Sequence, residues 1–165
     1  MKKFELTSEF VTFLGKKLFR IKALISFGNV KEGELGGYVE KEENLSNDGN
    51  AWVYGNAWVY GNAEVSGNAR VSGNARVYGN ARVYGNAEVY GDADYATVHG
   101  FGSEYRTTTF FRTKAGDIGV RCGCFYGTLE EFRAKVKETH GETKTAKEYL
   151  MVADLMEFRF SKEEA

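Results

Sequence analysis

The amino-acid sequence predicts a mainly β protein whose centre is a run of short strands, each ending at a tight corner. Three observations predict this class. Gly-Asn-Ala recurs every six residues from Gly49 onward and closes with the variant Gly91-Asp92-Ala93, valine follows two places after nearly every repeated alanine, and the chain contains no proline. A helix needs apolar residues about every 3.6 positions and a long strand needs strict alternation, so two apolar positions in six favour short strands.

The corners are predicted at Gly-Asn, because glycine takes positive φ without a steric penalty and asparagine is the commonest other residue there. The repeated valine and alanine side chains then point inward. Burial of a valine side chain is worth roughly 1.5 to 3 kcal/mol, so the valines should supply most of the stability. The series is Val53, Val59, Val65, Val71, Val77, Val83 and Val89.

The unit Val-Tyr-Gly-Asn-Ala-Arg at 77–82 resembles the hexapeptide repeat of left-handed parallel β-helices, a fold of many acyltransferases. The resemblance implies three hexads per triangular coil, so eight units give fewer than three coils. Such a short solenoid needs caps, because its ends expose unpaired strand edges. The stretch 35–53 further resembles the opening of a group of bacterial and prophage hexapeptide-repeat proteins with no settled activity, and this resemblance covers roughly residues 18–95.

A coil of three hexads places side chains 18 residues apart in neighbouring rungs. Three predicted rung pairs then carry opposite charges: Arg70 with Glu88, Glu64 with Arg82, and Arg76 with Asp94. The same spacing brings together cation–π or stacking partners, namely Trp52 with Arg70, Trp58 with Arg76, and Tyr60 with Tyr78. Exposed pairs of this kind contribute under about 1 kcal/mol each, so they set the register more than they stabilise.

The chain divides into three predicted parts. Residues 1–46 form an N-terminal β cap and an irregular first coil, residues 47–98 form the hexapeptide-repeat β-helix, and residues 99–165 form a small α+β module of two strands and two helices. Two Thr-x-x-Glu signatures predict the helix starts, at Thr128 and at Thr145. The apolar residues that follow them at helical spacing are predicted to be core.

The hairpin over 105–126 supplies the candidate ligand surface. If Lys114 pairs with Asp117, strand alternation collects three arginines and two phenylalanines on one face and places Cys122 and Cys124 on the other, under the helices. The ligand-binding candidates are Arg106, Phe110, Arg112, Arg121 and Phe125. Arginine binds phosphate or carboxylate bidentately and phenylalanine stacks on a planar base. Docking of this face against the solenoid end or a neighbouring subunit remains open.

No metal site and no cofactor are predicted. The two cysteines and the two histidines, His99 and His140, could contribute ligands, but a Cys-x-Cys pair lacks the usual zinc spacing. The cysteines therefore read as small buried apolar residues.

Aromatic side chains decorate the outside of the predicted prism. Tyrosine and tryptophan suit a flat interface, because they bury a large area while losing little rotamer freedom. The interface candidates are Trp52, Trp58, Tyr60, Tyr78 and Tyr84. We therefore expect a homo-oligomer, either a trimer or a dimer.

Composition excludes several classes of function. The 165 residues are 42% hydrophobic, enough for one domain with an appendage, and the net charge of −1 argues against bulk binding to nucleic acid or to an anionic membrane. Glu5 and Glu9 interrupt the apolar stretch that a signal peptide needs. Two cysteines make no disulfide framework, so we expect a cytoplasmic protein.

The leading hypothesis is a non-enzymatic binding or interaction protein. The prophage resemblance implies an accessory role in the host cytoplasm, either sequestering an anionic nucleotide-like ligand or blocking a host defence protein. The alternative that the resemblance implies is a coenzyme-A-dependent acyltransferase with His99 as general base. The short solenoid and the absence of a long loop between its repeats argue against it.

Overall fold

The computed structural model describes residues 2–102 and 106–161. The N-terminal strands are β1 (Phe4–Phe13), β2 (Lys16–Ala23) and β3 (Leu35–Val39). Seven two-residue strands follow, β4 (Trp52–Val53), β5 (Trp58–Val59), β6 (Glu64–Val65), β7 (Arg70–Val71), β8 (Arg76–Val77), β9 (Arg82–Val83) and β10 (Glu88–Val89). The C-terminal elements are β11 (Tyr95–Phe101), β12 (Arg106–Arg112), β13 (Ile118–Cys122), β14 (Phe125–Thr128), α1 (Leu129–His140) and α2 (Lys144–Phe160).

The short strands pair in parallel with the strand 18 residues further on, so three strands complete one turn of a small solenoid. β4 pairs with β7 and β7 with β10, while β5 pairs with β8 and β6 with β9. Every valine from Val53 to Val89 is 0% exposed, and the repeated alanines lie beside them in one core. The predicted rung spacing and the inward valines are both confirmed.

Glycine forms the corners. Seven repeat glycines, from Gly49 to Gly85, have φ between 59° and 71°, as predicted. Stacking imposes a second requirement, because neighbouring corners approach closely: a Cβ on Gly67 would lie 2.8 Å from the backbone nitrogen of Gly85. The corner residue must therefore lack a side chain for both conformational and packing reasons.

The N-terminal strands close one end of the solenoid. β1, β2 and β3 are antiparallel neighbours, and β3 continues into the solenoid by pairing in parallel with β5. Two buried polar side chains satisfy the carbonyls of the first coil: the Lys3 amine donates to the Ala51 carbonyl at 2.7 Å, and the Asn44 amide donates to the Ala63 carbonyl at 2.8 Å. Burial lowers the pKa of the Lys3 amine to about 8.

A four-stranded antiparallel sheet, β11-β12-β13-β14, closes the other end. Its solenoid side carries Phe111, which joins the valine core, and the Thr109 hydroxyl, which accepts a hydrogen bond from the Arg82 main-chain N–H at 2.9 Å. Its other side carries Phe110 and Val120 against the two helices. The sheet therefore lies between two hydrophobic cores.

The C-terminal module contains two strands more than predicted. β11 precedes the expected hairpin, and the expected second strand is split into β13 and β14 by a turn at Gly123, where φ is 58°. The cap predicted at Thr128 is confirmed by its reciprocal bonds with Glu131, whereas the cap predicted at Thr145 is wrong. Thr143 caps α2, because its hydroxyl accepts from the Ala146 N–H at 3.2 Å.

Neither helix in residues 2–102 and 106–161 is long and apolar enough to cross a membrane.

Candidate anion-binding cleft

The hairpin register differs by one residue from the prediction. Arg112 pairs with Ile118 and Thr108 with Cys122, so Thr113 and not Lys114 faces Asp117. The connection is a three-residue turn with Gly116 at φ 90°. A one-residue slip moves every side chain of one strand to the opposite face of the sheet, so the prediction that the five ligand candidates share one face is wrong.

Three of the five ligand candidates, Phe110, Arg112 and Phe125, lie on the helix side of the sheet. Phe110 is 0% exposed and packs edge-on against Phe132, so it is core. Arg112 donates to Asp94 at 2.9 Å and to the Phe160 carbonyl at 3.2 Å, which ties the solenoid end to the last turn of α2. The predicted pairing of Arg76 with Asp94 is wrong because Asp94 lies in a 3-10 turn and binds Arg112.

Arg121 lies on the solenoid side, where it borders a cleft of about 650 Å³ between the solenoid and the C-terminal sheet. Arg106, at the start of β12, lines the same cleft, and the repeat contributes Arg82. We call this space the arginine cleft. Its other lining residues are Asn62, Glu64, Asn80, His99, Thr107, Gly123 and Cys124.

Tertiary contacts hold the Arg121 side chain and the Arg82 main chain in place. The guanidinium of Arg121 lies 4.4 Å from the ring centroid of Tyr84, and its buried Nε has no hydrogen-bond partner within the described part of the chain. Arg82 is held through its main-chain bond to Thr109, and its side chain stays half exposed, with Nε 4.0 Å from a Glu64 carboxylate oxygen. Glu64 is the single acidic side chain among the described residues that line the cleft.

His99 lies on β11 and is exposed, with Nδ1 2.8 Å from the Thr107 hydroxyl oxygen. Cys124 is exposed and lines the same cleft, so the prediction that both cysteines are buried is wrong for Cys124. Cys122 is half-buried on the helix side and accepts a hydrogen bond from the Thr108 hydroxyl at 3.2 Å.

The arrangement suits an anion. Three guanidinium groups face one cleft, and guanidinium forms the strongest protein hydrogen bonds to phosphate and carboxylate. Arg82 was missed as a site residue because the sequence reads it only as a ladder partner of Glu64, a rung that the structure confirms. Its position in the last complete coil, next to the non-repeating module, is the signal that could have identified it.

The aromatic interface candidates are largely used within the chain. Trp52 is 0% exposed beneath Phe4 and Phe27, which excludes it from any contact between subunits. Tyr84 is covered by Arg121 and by the ring of Tyr126, whose centroid lies 4.9 Å away.

The other three candidates form one aromatic face. Tyr60 stacks on Tyr78 at 5.3 Å, and Arg76 lies 4.2 Å from the Trp58 ring centroid, both as predicted. Phe13 from β1 covers Trp58 and Tyr60 in part, while Tyr78 remains 52% exposed. Trp52 does pair with Arg70 in register, but the Arg70 guanidinium lies over Tyr54.

Comparison with known proteins supports the repeat and covers only the solenoid side of the cleft. Residues 63–79 and 75–91 match the YdcK beta solenoid repeat. No curated protein matches the chain. The matched stretches include Arg82 but end before the C-terminal sheet, so the arginine cleft must be interpreted from its own geometry. Residues 63–91 of the chain are thus similar to a YdcK beta solenoid repeat.

Proposed function

We propose that this protein is a non-enzymatic binding protein that holds a phosphate-bearing, nucleotide-like ligand in the arginine cleft. The observation that carries the proposal is the convergence of Arg82, Arg106 and Arg121 on one cleft of about 650 Å³. A space of that size lies within the range of small-molecule sites, roughly 300 to 1,000 Å³. The positive charge is local, because the chain as a whole carries a net charge of −1.

Preorganisation supports the same function. Ligand binding costs less when the binding side chains are already ordered, and stacking on Tyr84 holds Arg121 in place. The two other arginines come from separate elements, so the cleft exists only when the solenoid and the sheet are docked. A ligand bound there would therefore stabilise that docking as well.

The scaffold that we propose is a left-handed parallel β-helix with an N-terminal β cap, as the hexapeptide resemblance implies. We retain a homo-oligomer, trimer or dimer, as part of the proposal, with Tyr78 on the aromatic face as its most exposed contact. In the setting that the prophage resemblance implies, the protein would sequester a host nucleotide or block a host defence protein in the host cytoplasm.

Isothermal titration calorimetry with tripolyphosphate tests the cleft. Arg82→Gln and Arg121→Gln should each weaken binding about tenfold or more, because each removes a charge-assisted bond worth roughly 1.5 to 3 kcal/mol. Arg76→Gln is the matched control, since Arg76 occupies the same repeat position as Arg82 but lies over Trp58 on another face. Equal losses in Arg76→Gln and Arg82→Gln, or no binding in the wild type, would overturn the proposal.

A competing function is supported by one observation, the presence of exposed His99 in the same cleft. As an acyltransferase, the protein would use this imidazole as general base to take a proton from an amine acceptor, which attacks the acetyl-coenzyme A thioester and forms an amide as the C–S bond breaks and coenzyme A leaves as the thiol. Release of free coenzyme A thiol in the presence of amine acceptors, abolished by His99→Ala, would establish the enzyme. The binding-protein proposal requires that no thiol is released.

A further inference from the structure

We infer that the ligand is a nucleotide whose phosphates occupy the arginine cleft while its base enters a second cavity, on the helix side of the sheet. This inference rests on the proposed function. The second cavity has a volume of about 260 Å³ and opens between α1 and the end of β13. We call it the aromatic pocket.

The aromatic pocket has walls of flat apolar groups. Phe125 and Phe132 line it with their ring centroids 5.8 Å apart, and Tyr149 stands edge-on to Phe132 at 5.6 Å. Val136 and Cys122 complete the apolar lining. A planar base has a π face that gains stacking and dispersion energy against such walls whatever its hydrogen-bonding edge.

The rim of the aromatic pocket is polar and basic. Arg106, Lys135 and His140 line it, together with the hydroxyl of Thr139. His140 is held by the ring of Tyr149, whose centroid lies 5.9 Å away. Hydrogen-bond donors at the rim suit the exocyclic oxygens and ring nitrogens of a base.

The two cavities meet at Arg106. This side chain lines both, and its guanidinium lies directly against Gly123, where a side chain on the glycine would collide with it. Gly123 belongs to the short turn that separates the cavities, since Cys122 on one side lines the aromatic pocket and Cys124 on the other lines the arginine cleft. A ligand that crosses this turn beside Arg106 reaches both cavities, and a nucleotide has the matching division into base and phosphates.

Calorimetry with ATP and tripolyphosphate, which share the phosphate chain, tests the inference. The wild type should bind ATP about tenfold more tightly than tripolyphosphate, because stacking one base is worth roughly 1 to 3 kcal/mol. Thr139→Trp places a large ring in the aromatic pocket from an exposed helical position, so it should remove the advantage of ATP and leave tripolyphosphate binding unchanged. Ala134→Trp, on the exposed side of α1, is the matched control and should preserve both affinities.

A second variant, Phe125→Leu, removes a half-buried ring without adding bulk and should reduce ATP affinity in the same direction. Equal affinity of the wild type for ATP and tripolyphosphate would overturn the nucleotide inference while leaving anion binding in the cleft intact. So would an unchanged preference for ATP in both Thr139→Trp and Phe125→Leu. Failure of both ligands to bind would overturn the proposed function as well.

Discussion

Replacing Gly67 by alanine should destabilise the protein more than the same change at Gly79, although both glycines occupy the same position of the repeat. Their φ angles are 68° and 69°, so alanine meets the same backbone strain at both, roughly 1 to 2 kcal/mol. Alanine also lowers the entropy of the unfolded chain equally in both variants, and this offsets part of that strain. The difference between the two variants therefore isolates the packing between coils.

That packing differs sharply. A Cβ on Gly67 would lie 2.8 Å from the Gly85 nitrogen and 3.2 Å from its Cα, whereas a Cβ on Gly79 meets nothing within 4 Å. Gly85 has no room to retreat, because Tyr126 lies against its other side. The Asn68 main-chain N–H also donates to the Gly85 carbonyl at 3.0 Å, which fixes the spacing of the two coils. Overpacking of this kind costs about 1 to 3 kcal/mol.

Urea denaturation followed by circular dichroism measures the difference. We expect Gly67→Ala to lose about 1 to 3 kcal/mol more unfolding free energy than Gly79→Ala, with similar denaturant slopes for both variants. If the two variants lose the same free energy within about 0.5 kcal/mol, close contact between stacked corners does not constrain the repeat, and the packing argument for glycine is refuted.

Three further predictions concern the two ends of the solenoid and the N-cap of α2. Lys3→Met should change the pH dependence of stability. Because the folded-state pKa of Lys3 is lowered to about 8, only the folded wild type loses this proton above pH 8, and its unfolding free energy should rise by about 1 to 2 kcal/mol relative to Lys3→Met between pH 7.5 and 9.5 in urea melts. Parallel pH profiles of the two proteins would contradict the burial of a charged amine. Phe111→Ala should lower the unfolding free energy by about 3 to 5 kcal/mol because it removes the buried ring that closes the end of the valine core, whereas Phe158→Ala, at a position 78% exposed, should change it by no more than about 0.5 kcal/mol. Similar losses for the two variants in calorimetric melts would argue against this role of Phe111. Thr143→Ala should lower the unfolding free energy by about 1 kcal/mol through loss of the N-cap of α2, while Thr145→Ala should not. The reverse order in the same melts would show that Thr145 is the N-cap, as the sequence predicted.

The repeat could be predicted from sequence because the same contacts recur along it. Each valine lies above another valine, so the 18-residue spacing follows from the period once three strands are assigned to a turn. Opposite charges at Glu64 and Arg82 checked that assignment independently. Because the local sequence pattern and the rung pairing agree, this part of the fold could be predicted from the sequence.

No comparable pairing of charges was present to test the predicted register of the hairpin. Phe110 and Phe111 are adjacent, and each is buried against a different core, so alternation of apolar and polar residues could not reveal which face was solvent. A sheet covered on both sides tolerates either register in the sequence pattern. The turn decided the outcome through Gly116, whose positive φ allows a three-residue connection in place of the predicted two.

The exposure of outward-pointing side chains in the first coil could not be predicted from the repeat either. Trp52 occupies the outward place of the repeat, which predicted an exposed ring, but Phe27 from the preceding segment covers it. The caps are not periodic, so their contacts with the ladder cannot be read from the period. Only tertiary structure shows which outward side chains a cap covers.

The candidate site likewise depends on where a non-repeating part of the chain packs against the repeat. Three arginines stand in identical Ala-Arg-Val units, at Arg70, Arg76 and Arg82. Arg70 lies over Tyr54 and Arg76 over Trp58, while Arg82 faces the cleft that forms where the C-terminal sheet meets the last complete coil. The repeat thus places an arginine at the same position in three units, and the sheet that closes the solenoid determines that Arg82, unlike the other two, lines the proposed anion site. Because one docking contact both seals the hydrophobic core and shapes the cleft, variants that loosen the sheet should lose stability and anion affinity together, whereas Arg82→Gln should lose affinity alone.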